Sequence, residues 1–304
     1  MRSIAKKRGL KLNEYGLFKE GQNQSIACKN EEELFAAFGL SFIEPELREN
    51  TGEIEAAAEG KLPKLVELKN LKGIIHAHST YTDGDSTISE IADTAKSLGY
   101  NYIAICDHSK AVTVANGMKP STVKKQHKEI DELNKKLKNF NILKGIEVDI
   151  LANGSLDFDD ELLSTFDIVV AAIHSRFGMD EDEMTNRILR AVANPNVDIL
   201  AHPTGRLLLA RDGYKVDLKK VIDECVKHGT AIEINSHPQR LDIDWRWCKY
   251  AKEQGIKFAI CPDAHSSEEI TNVAYGINIA RKGWLEKKDI INCLSIKDLL
   301  ETIK

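Results

Sequence analysis

Nine histidines are distributed along the chain, and six of them (His76, His78, His108, His174, His202 and His265) fall at the ends of short apolar runs. Carboxylates share these positions. Asp83 lies just beyond the first run, Glu147 near the end of the third and Asp263 at the end of the last. A lone His-x-His pair is weakly informative, because residues i and i+2 of a strand share a face whatever their purpose. The combination is specific, since chance would scatter histidines through helices, as with His127 and His228. Mixed imidazole and carboxylate donors suit zinc, manganese or iron, whereas a magnesium-only site relies on oxygen. The donors exceed the needs of one ion, so two to three divalent ions are expected, and Glu147 could bridge two of them. Clustered cations lower the pKa of bound water and neutralise a phosphate, which is what phosphoester hydrolysis requires. His76, Glu147 and Asp263 are therefore the expected catalytic centre.

Basic residues follow the same run ends. Arg176 comes after His174, Arg206 after His202, Arg240 after Asn235 and His237, and Lys110 after His108. The three arginines are candidate phosphate contacts, because a guanidinium can grip two phosphate oxygens at once. Asp107 is expected to orient His108 or a neighbour from behind, and Asp149 to be structural. His237 is left out of the ligand set because Pro238 makes its direction uncertain.

The elements that must position these groups are legible from Gly73 onward. Seven strand-like runs (residues 74–78, 102–107, 142–149, 168–174, 197–202, 231–235 and 258–262) alternate with helical patterns at 87–98, 121–138, 181–193, 218–228 and 245–254, and another helix at 268–282 follows the last run. Such alternation signals βα units and a parallel sheet. Ser86 and Ser121 are read as N-caps, and Gly99, Gly229, Gly255 and Gly283 as helix ends. A closed barrel is favoured, with an open doubly wound sheet as the alternative, although no glycine-rich phosphate fingerprint follows the first run. Parallel βα barrels gather their active groups at strand C-termini, so the histidines and carboxylates should converge. Residues 1–70 differ in character, with a helix at 31–38, a tether at 62–71 and too few large apolar side chains in register to promise a core.

Of the 304 residues, 42% are hydrophobic and 29% charged, which suits a globular protein of one large domain or one large and one small. No apolar run is long enough to cross a bilayer, and no apolar stretch follows the basic start, so a cytoplasmic location is expected. The six cysteines form no Cys-x-x-Cys pair and are read as reduced thiols. A net charge of −5 decides little about nucleic acid, because it does not exclude a local basic groove. There is no Gly-x-Ser-x-Gly elbow and no Walker loop.

The segment His76-Ala77-His78-Ser79-Thr80-Tyr81-Thr82-Asp83-Gly84 resembles the polymerase and histidinol phosphatase (PHP) superfamily. Asp107-His108-Ser109, Gly145-Ile146-Glu147, His174-Ser175, His202-Pro203 and Asp263-Ala264-His265 continue the match in order. The resemblance implies a distorted seven-stranded barrel holding three metals. One would be held by His76, His78, Glu147 and Asp263, a second by Glu147, His174 and His202, and a third by Asp83, His108 and His265. Asp83 stands where several family phosphatases carry histidine, and this variant resembles the PHP domain of bacterial and archaeal family X DNA polymerases, which implies a 3′–5′ exonuclease often favouring manganese. Residues 9–18 and 45–49 resemble the last part of a polymerase thumb. The expected division is thus a thumb-like remnant over 1–70 and a PHP domain over 71–304.

These readings together predict a metal-dependent phosphoesterase, a 3′–5′ exonuclease acting on single-stranded or gapped DNA ends with metal-bound hydroxide. The alternatives are a phosphomonoesterase acting on a small metabolite, or a metal-stabilised scaffold of a polymerase. No polymerase activity is expected from this chain, and upstream polymerase domains would be its partners if it is a fragment.

Overall fold

The computed structural model describes every residue except Ala27 and Lys304. Two compact units divide the chain, Met1–Lys64 and Leu65–Lys304. In the first, helix α1 (Arg2–Lys7) precedes an antiparallel sheet of β1 (Leu10–Asn13), β2 (Gly16–Lys19) and β3 (Ser25–Ile26), followed by α2 (Glu31–Ala37) and α3 (Glu53–Glu59). This unit does have buried apolar side chains, among them Leu17, Phe35, Phe38, Ile43 and Leu47. They come from separate short elements, so no single periodic segment announces them. Phe35 and Phe42 meet edge to face at 5.6 Å, and Arg48 covers Phe35 while pairing with both carboxylate oxygens of Glu31.

The second unit is the barrel. Strands β4 (Gly73–Ala77), β5 (Tyr102–Ile105), β6 (Asn141–Asp149), β7 (Ile168–Ala172), β8 (Ile199–Leu200), β9 (Ala231–Asn235) and β10 (Phe258–Cys261) are parallel and neighbour one another in chain order. Beyond the last strand, Ala77 bridges Ala264, and the His78 N–H donates to the Ala264 carbonyl at 2.8 Å. That contact brings the first strand to the last, so the sheet is a nearly closed barrel and not an open one. The helices are α4 (Ile88–Ser97), α5 (Pro120–Asn134), α6 (Asp160–Leu163), α7 (Glu181–Val192), α8 (Leu218–His228), α9 (Trp245–Glu253), α10 (Val273–Lys282) and α11 (Ile296–Thr302). Among the described residues, no helix is long and apolar enough to cross a membrane.

Local signals differ in detail from the sequence reading. Thr87, not Ser86, caps α4 through a reciprocal capping box with Glu90. Helix α5 starts at Pro120, whose missing N–H suits a first helical position, so Ser121 is inside the helix. Gly283 ends α10 without a left-handed turn. The helix expected over 268–282 is a 3₁₀ turn, Glu268–Asn272, followed by α10. Residues 65–71 are not a loose tether: Val66 is buried and donates to the Leu285 carbonyl at 3.0 Å.

Alternation of side chains along the strands builds two cores. Ile103 and Ile105 of β5, Val169 and Ala171 of β7, and Ile232 and Ile234 of β9 face the helices. Tyr102, Ala104, Ile168, Val170, Ala231 and Ala259 fill the interior, with Ile291 and Leu299 from the C-terminal segment. Interior residues are often small, as a narrow barrel requires. The buried cysteines (Cys106, Cys225, Cys248, Cys261 and Cys293) are free thiols, and so is the half-buried Cys28.

Candidate metal centre

Strand β4 would carry its histidines on the wrong face if it were regular. Ile74 and Ala77 belong to the outer core and Ile75 to the inner one, so strict alternation from Ile74 would turn His76 and His78 outward. The pairing with β5 shifts register between Ile74 and Ala77, and His76 adopts a left-handed backbone, φ 73°. This irregularity turns both imidazoles into the barrel mouth. His202 (φ 23°) and Asp263 (φ 52°) also have positive φ, a costly conformation for residues with a Cβ. Such outliers cluster at functional sites.

Two glycines are fixed by close approach. A Cβ on Gly145 would lie 2.5 Å from Cys106 Sγ, so only glycine lets β6 pass close enough to β5 to aim Glu147 inward. A Cβ on Gly84 would lie 2.3 Å from the His78 carbonyl oxygen, where the loop carrying Asp83 folds back on the strand end.

Glu147 is the hub of the site. Its carboxylate is buried, and five imidazoles reach it: His108 Nδ1 at 2.7 Å, His202 Nε2 at 3.0 Å, His174 Nε2 at 3.3 Å, His76 Nε2 at 3.4 Å and His78 Nε2 at 3.7 Å. Asp263 stands 3.1 Å from His78 Nε2 and 3.6 Å from His76 Nε2. Asp83 approaches His108 Nε2 and His265 Nε2, each at 3.6 Å, and His78 Nδ1 at 4.0 Å. All nine expected metal-type residues therefore meet at the strand C-termini. Their donor atoms fall into convergent groups: His76, His78 and Asp263; His108, Glu147 and His174; and His78, Asp83, His108 and His265. His78 belongs to two of these groups, and His108 joins the Glu147 group as well as the Asp83 one.

Whether these groups suit cations can be judged from their unsatisfied atoms. His76 Nε2, His78 Nδ1, His108 Nδ1, Glu147 Oε2 and His202 Nδ1 are buried without a hydrogen-bond partner. His108 Nδ1 and Glu147 Oε2 lie 2.7 Å apart yet lack hydrogen-bond geometry. Two lone pairs aimed at a common point give that arrangement, so the residues present fit metal ions. Without cations, the same crowding of carboxylates and imidazoles instead loads the site with protons. Burial opposes charge on His108, but the carboxylates of Glu147 and Asp83 outweigh it and raise the imidazole to about 10. His265 rises to about 9, burial being overcome by Asp83 and Asp263. Glu147 is buried, which favours its neutral form, but the surrounding imidazoles hold it well below the ordinary range. His78 drops to about 3, through burial and the neighbouring charge of His108.

A supporting layer holds these groups. Glu233 escaped the sequence reading. It is fully buried on β9, accepts from His76 Nδ1 at 2.6 Å and from the His202 N–H at 2.6 Å, and Asn235 Nδ2 links it to Asp263. The available signal was a glutamate and an asparagine two residues apart on one face of an apolar strand. Asp107 accepts from the Ser79 N–H at 2.8 Å, from the Ser79 and Thr82 hydroxyls and from Gln126 Nε2. It thereby fastens the loop leading to Asp83. Asp149 contacts His174 Nδ1 at 3.1 Å.

The arginines diverge. Arg240 lines the cleft of about 280 Å³ above the cluster, and its Nε lies 3.3 Å from Asp263. Arg206 does not line it; its guanidinium donates to the Arg240 and Leu241 carbonyls and pairs with Asp244 at 3.1 Å. Arg176 is exposed and also outside the cleft lining. Arg211, which the sequence reading did not select, does line it.

A near-closed parallel barrel with this cluster at its strand ends defines a metal-dependent hydrolase of the PHP class. The PHP domain family matches residues 75–275, and the chain belongs to that family. The DNA polymerase beta thumb family matches residues 1–49. Over all 304 residues the chain is 43% identical to DNA polymerase/3′-5′ exonuclease PolX of Bacillus subtilis (strain 168), of which it spans 53%. It is 29% identical over 229 residues, 71% of this chain and 88% of the relative, to a probable phosphatase of Thermoanaerobacter sp. (strain X514). The structure of a candidate histidinol phosphatase from Listeria monocytogenes aligns with a TM-score of 0.51 at 16% identity, covering 65% of this chain and 97% of that one. At that identity, the likeness concerns the fold alone.

Proposed function

We propose that this chain hydrolyses the terminal phosphodiester at the 3′ end of DNA, as a cytoplasmic 3′–5′ exonuclease in DNA repair. The observation that carries the reading is the pairing of the buried multi-imidazole cluster around Glu147 with an N-terminal unit matching a polymerase thumb. Likeness over the whole chain to a relative named for 3′–5′ exonuclease activity supports it. His76, His78, Glu147 and Asp263 would hold one cation, Glu147, His174 and His202 a second, and Asp83, His108 and His265 a third; manganese or zinc suits these donors, and iron is compatible. Bound divalent cations supply water of lowered pKa and neutralise charge on a phosphate.

The chain's own residues do the positioning. Glu233 keeps a proton on His76 Nδ1 and so leaves Nε2 as a lone pair facing the cluster. Arg240 and Arg211 present guanidinium groups to the cleft, where they would bind phosphate oxygens. In the overall reaction the oxygen of water forms a bond to phosphorus and the P–O3′ bond breaks. The proton balance closes on the departing 3′ oxygen, giving a nucleoside 5′-monophosphate and a shortened strand.

The small-metabolite reading rests on the likeness to a probable phosphatase, which covers 71% of this chain. With manganese added, the specificity constant for a single-stranded oligonucleotide should exceed that for p-nitrophenyl phosphate. Preference for the monoester would move the assignment to a phosphatase. Normal metal content with neither substrate cleaved would leave a scaffold.

A further inference from the structure

The cleft above the cluster has two unlike halves. One is built from imidazoles and carboxylates; the other is lined by Val112, Val114, Ala115, Phe177 and Leu207. Val114 is 94% exposed although it is apolar, and Leu209, fully exposed at the tip of the loop after β8, lines an adjoining groove that shares Leu207 and Arg211 with the cleft. Neither position is left to chance. The turn bearing Val114 is fastened by the Ala111 N–H to Asp157 at 2.6 Å and by the Val112 N–H to the Ser109 carbonyl at 3.1 Å. The loop bearing Leu209 is closed by two hydrogen bonds between Leu207 and Arg211, each 2.8 Å, and Leu209 itself has a φ of 63°. A leucine held both in water and in a left-handed backbone is unfavourable on two counts, and folding gains nothing visible from it.

The charge at this rim is cationic. Arg211 donates to the Gly205 carbonyl at 2.8 Å and lies over the Phe177 ring at 4.2 Å, with Tyr214 stacked behind that ring. Among the described residues no carboxylate pairs with Arg211. Burial and then the like charge of Arg240 both weaken its hold on its proton, so an anion between the two guanidinium groups would relieve them.

We propose that this rim is a base-binding subsite: with the terminal phosphodiester over the cluster and its oxygens on Arg211 and Arg240, the terminal base of a single-stranded DNA end lies on Val114 and Leu209. The proposal rests on the 3′-exonuclease reading and adds what the enzyme grips beyond the phosphate. A small amino-alcohol phosphate would call for a carboxylate at the far end of the cleft, and that end is apolar. A flat base presents a large weakly hydrated face, and covering it on apolar side chains is favourable and tolerant of sequence.

The test uses the full chain with manganese and two 5′-labelled single strands, one ending in thymidine and the other in a tetrahydrofuran abasic residue. The unmodified protein should remove the base-bearing terminal nucleotide about tenfold faster. Val114→Asp should abolish most of that preference, Val114→Leu should keep it, and Leu209→Asp repeats the test from the other loop. Because Val114 projects into solvent, both of its replacements leave the core intact. Equal rates on the two ends, or a preference untouched by Val114→Asp, overturn the subsite while the exonuclease reading stands. Removal of neither terminal residue by the unmodified protein overturns the exonuclease reading and the subsite with it.

Discussion

Replacing Glu233 by glutamine changes no shape and removes one buried charge, and its consequence can be worked from the hydrogen bonds. One carboxylate oxygen accepts from His76 Nδ1 at 2.6 Å and the other from the His202 N–H at 2.6 Å. An amide has one oxygen. If that oxygen faces His202, the NH₂ faces His76 Nδ1 and forces the imidazole proton onto Nε2, the nitrogen aimed at Glu147 and Asp263. If it faces His76, the NH₂ opposes the His202 N–H. The first arrangement protonates the nitrogen that faces the cluster, and the second leaves a buried donor against a donor; either costs roughly 1–3 kcal/mol. That converts to a loss of about 10- to 100-fold in metal affinity, the range typical for the groups that orient metal-binding histidines. Competition against a chromogenic chelator measures it directly. Glu233→Gln should weaken metal binding by that factor, and excess metal should restore most of the activity. The same metal excess should not rescue Glu147→Gln, which removes the hub itself. Unchanged metal affinity in Glu233→Gln would falsify the claim that this carboxylate sets the His76 tautomer.

Other perturbations give separate readouts. Chelating the metal should lower the barrel's melting temperature by about 5–10 °C, since saturation about 100-fold above the dissociation constant contributes roughly 2.7 kcal/mol; calorimetry showing no shift would deny a structural share to the metals. The pH dependence follows from His108 at about 10 and His265 at about 9. Both are raised above the unfolded value near 6.5, so their contribution is complete below that pH and is lost as pH climbs through 9 and 10. Denaturant titrations should therefore find the chelated protein losing stability from pH 7 to 10. Metal uptake at pH 7 should also release protons, which calorimetry in buffers of different ionisation enthalpy would detect. Arg206→Ala should destabilise by about 2–4 kcal/mol through its lost carbonyl and Asp244 contacts, whereas Arg240→Ala should raise KM; a KM effect from Arg206 alone would reverse that division.

Much of the barrel was legible because the βα units carry their own punctuation: an apolar run, a helical period and, in several, a glycine such as Gly229 in a left-handed turn. The convergence of the nine metal-type residues followed from one rule about strand C-termini. What remained hidden was not local. Strand β8 keeps only Ile199–Leu200 of the longer run expected, because pairing with its neighbours and not composition decides where a ladder stops. The inward turn of His76 depends on a register shift that residue types do not encode visibly. Glu233 reads as an ordinary strand glutamate until its two partners, far from it along the chain, are known. Arg206 and Arg211 occupy the same loop, and only the fold tells which of them faces carbonyl groups and which faces the cleft. The N-terminal unit was underestimated because its apolar residues are gathered from short elements by tertiary packing.

Hydrolysis of DNA from its 3′ end by the Glu147 cluster leaves a distinct trace for each label position. The most direct measurement is digestion of 5′-labelled and 3′-labelled single strands with manganese, beside Glu147→Ala. The expected result is a ladder shortening stepwise with the 5′ label, immediate release of a labelled mononucleotide with the 3′ label, and neither in the variant. Intact strands alongside rapid hydrolysis of a simple phosphomonoester, or a ladder that persists in Glu147→Ala, would contradict it.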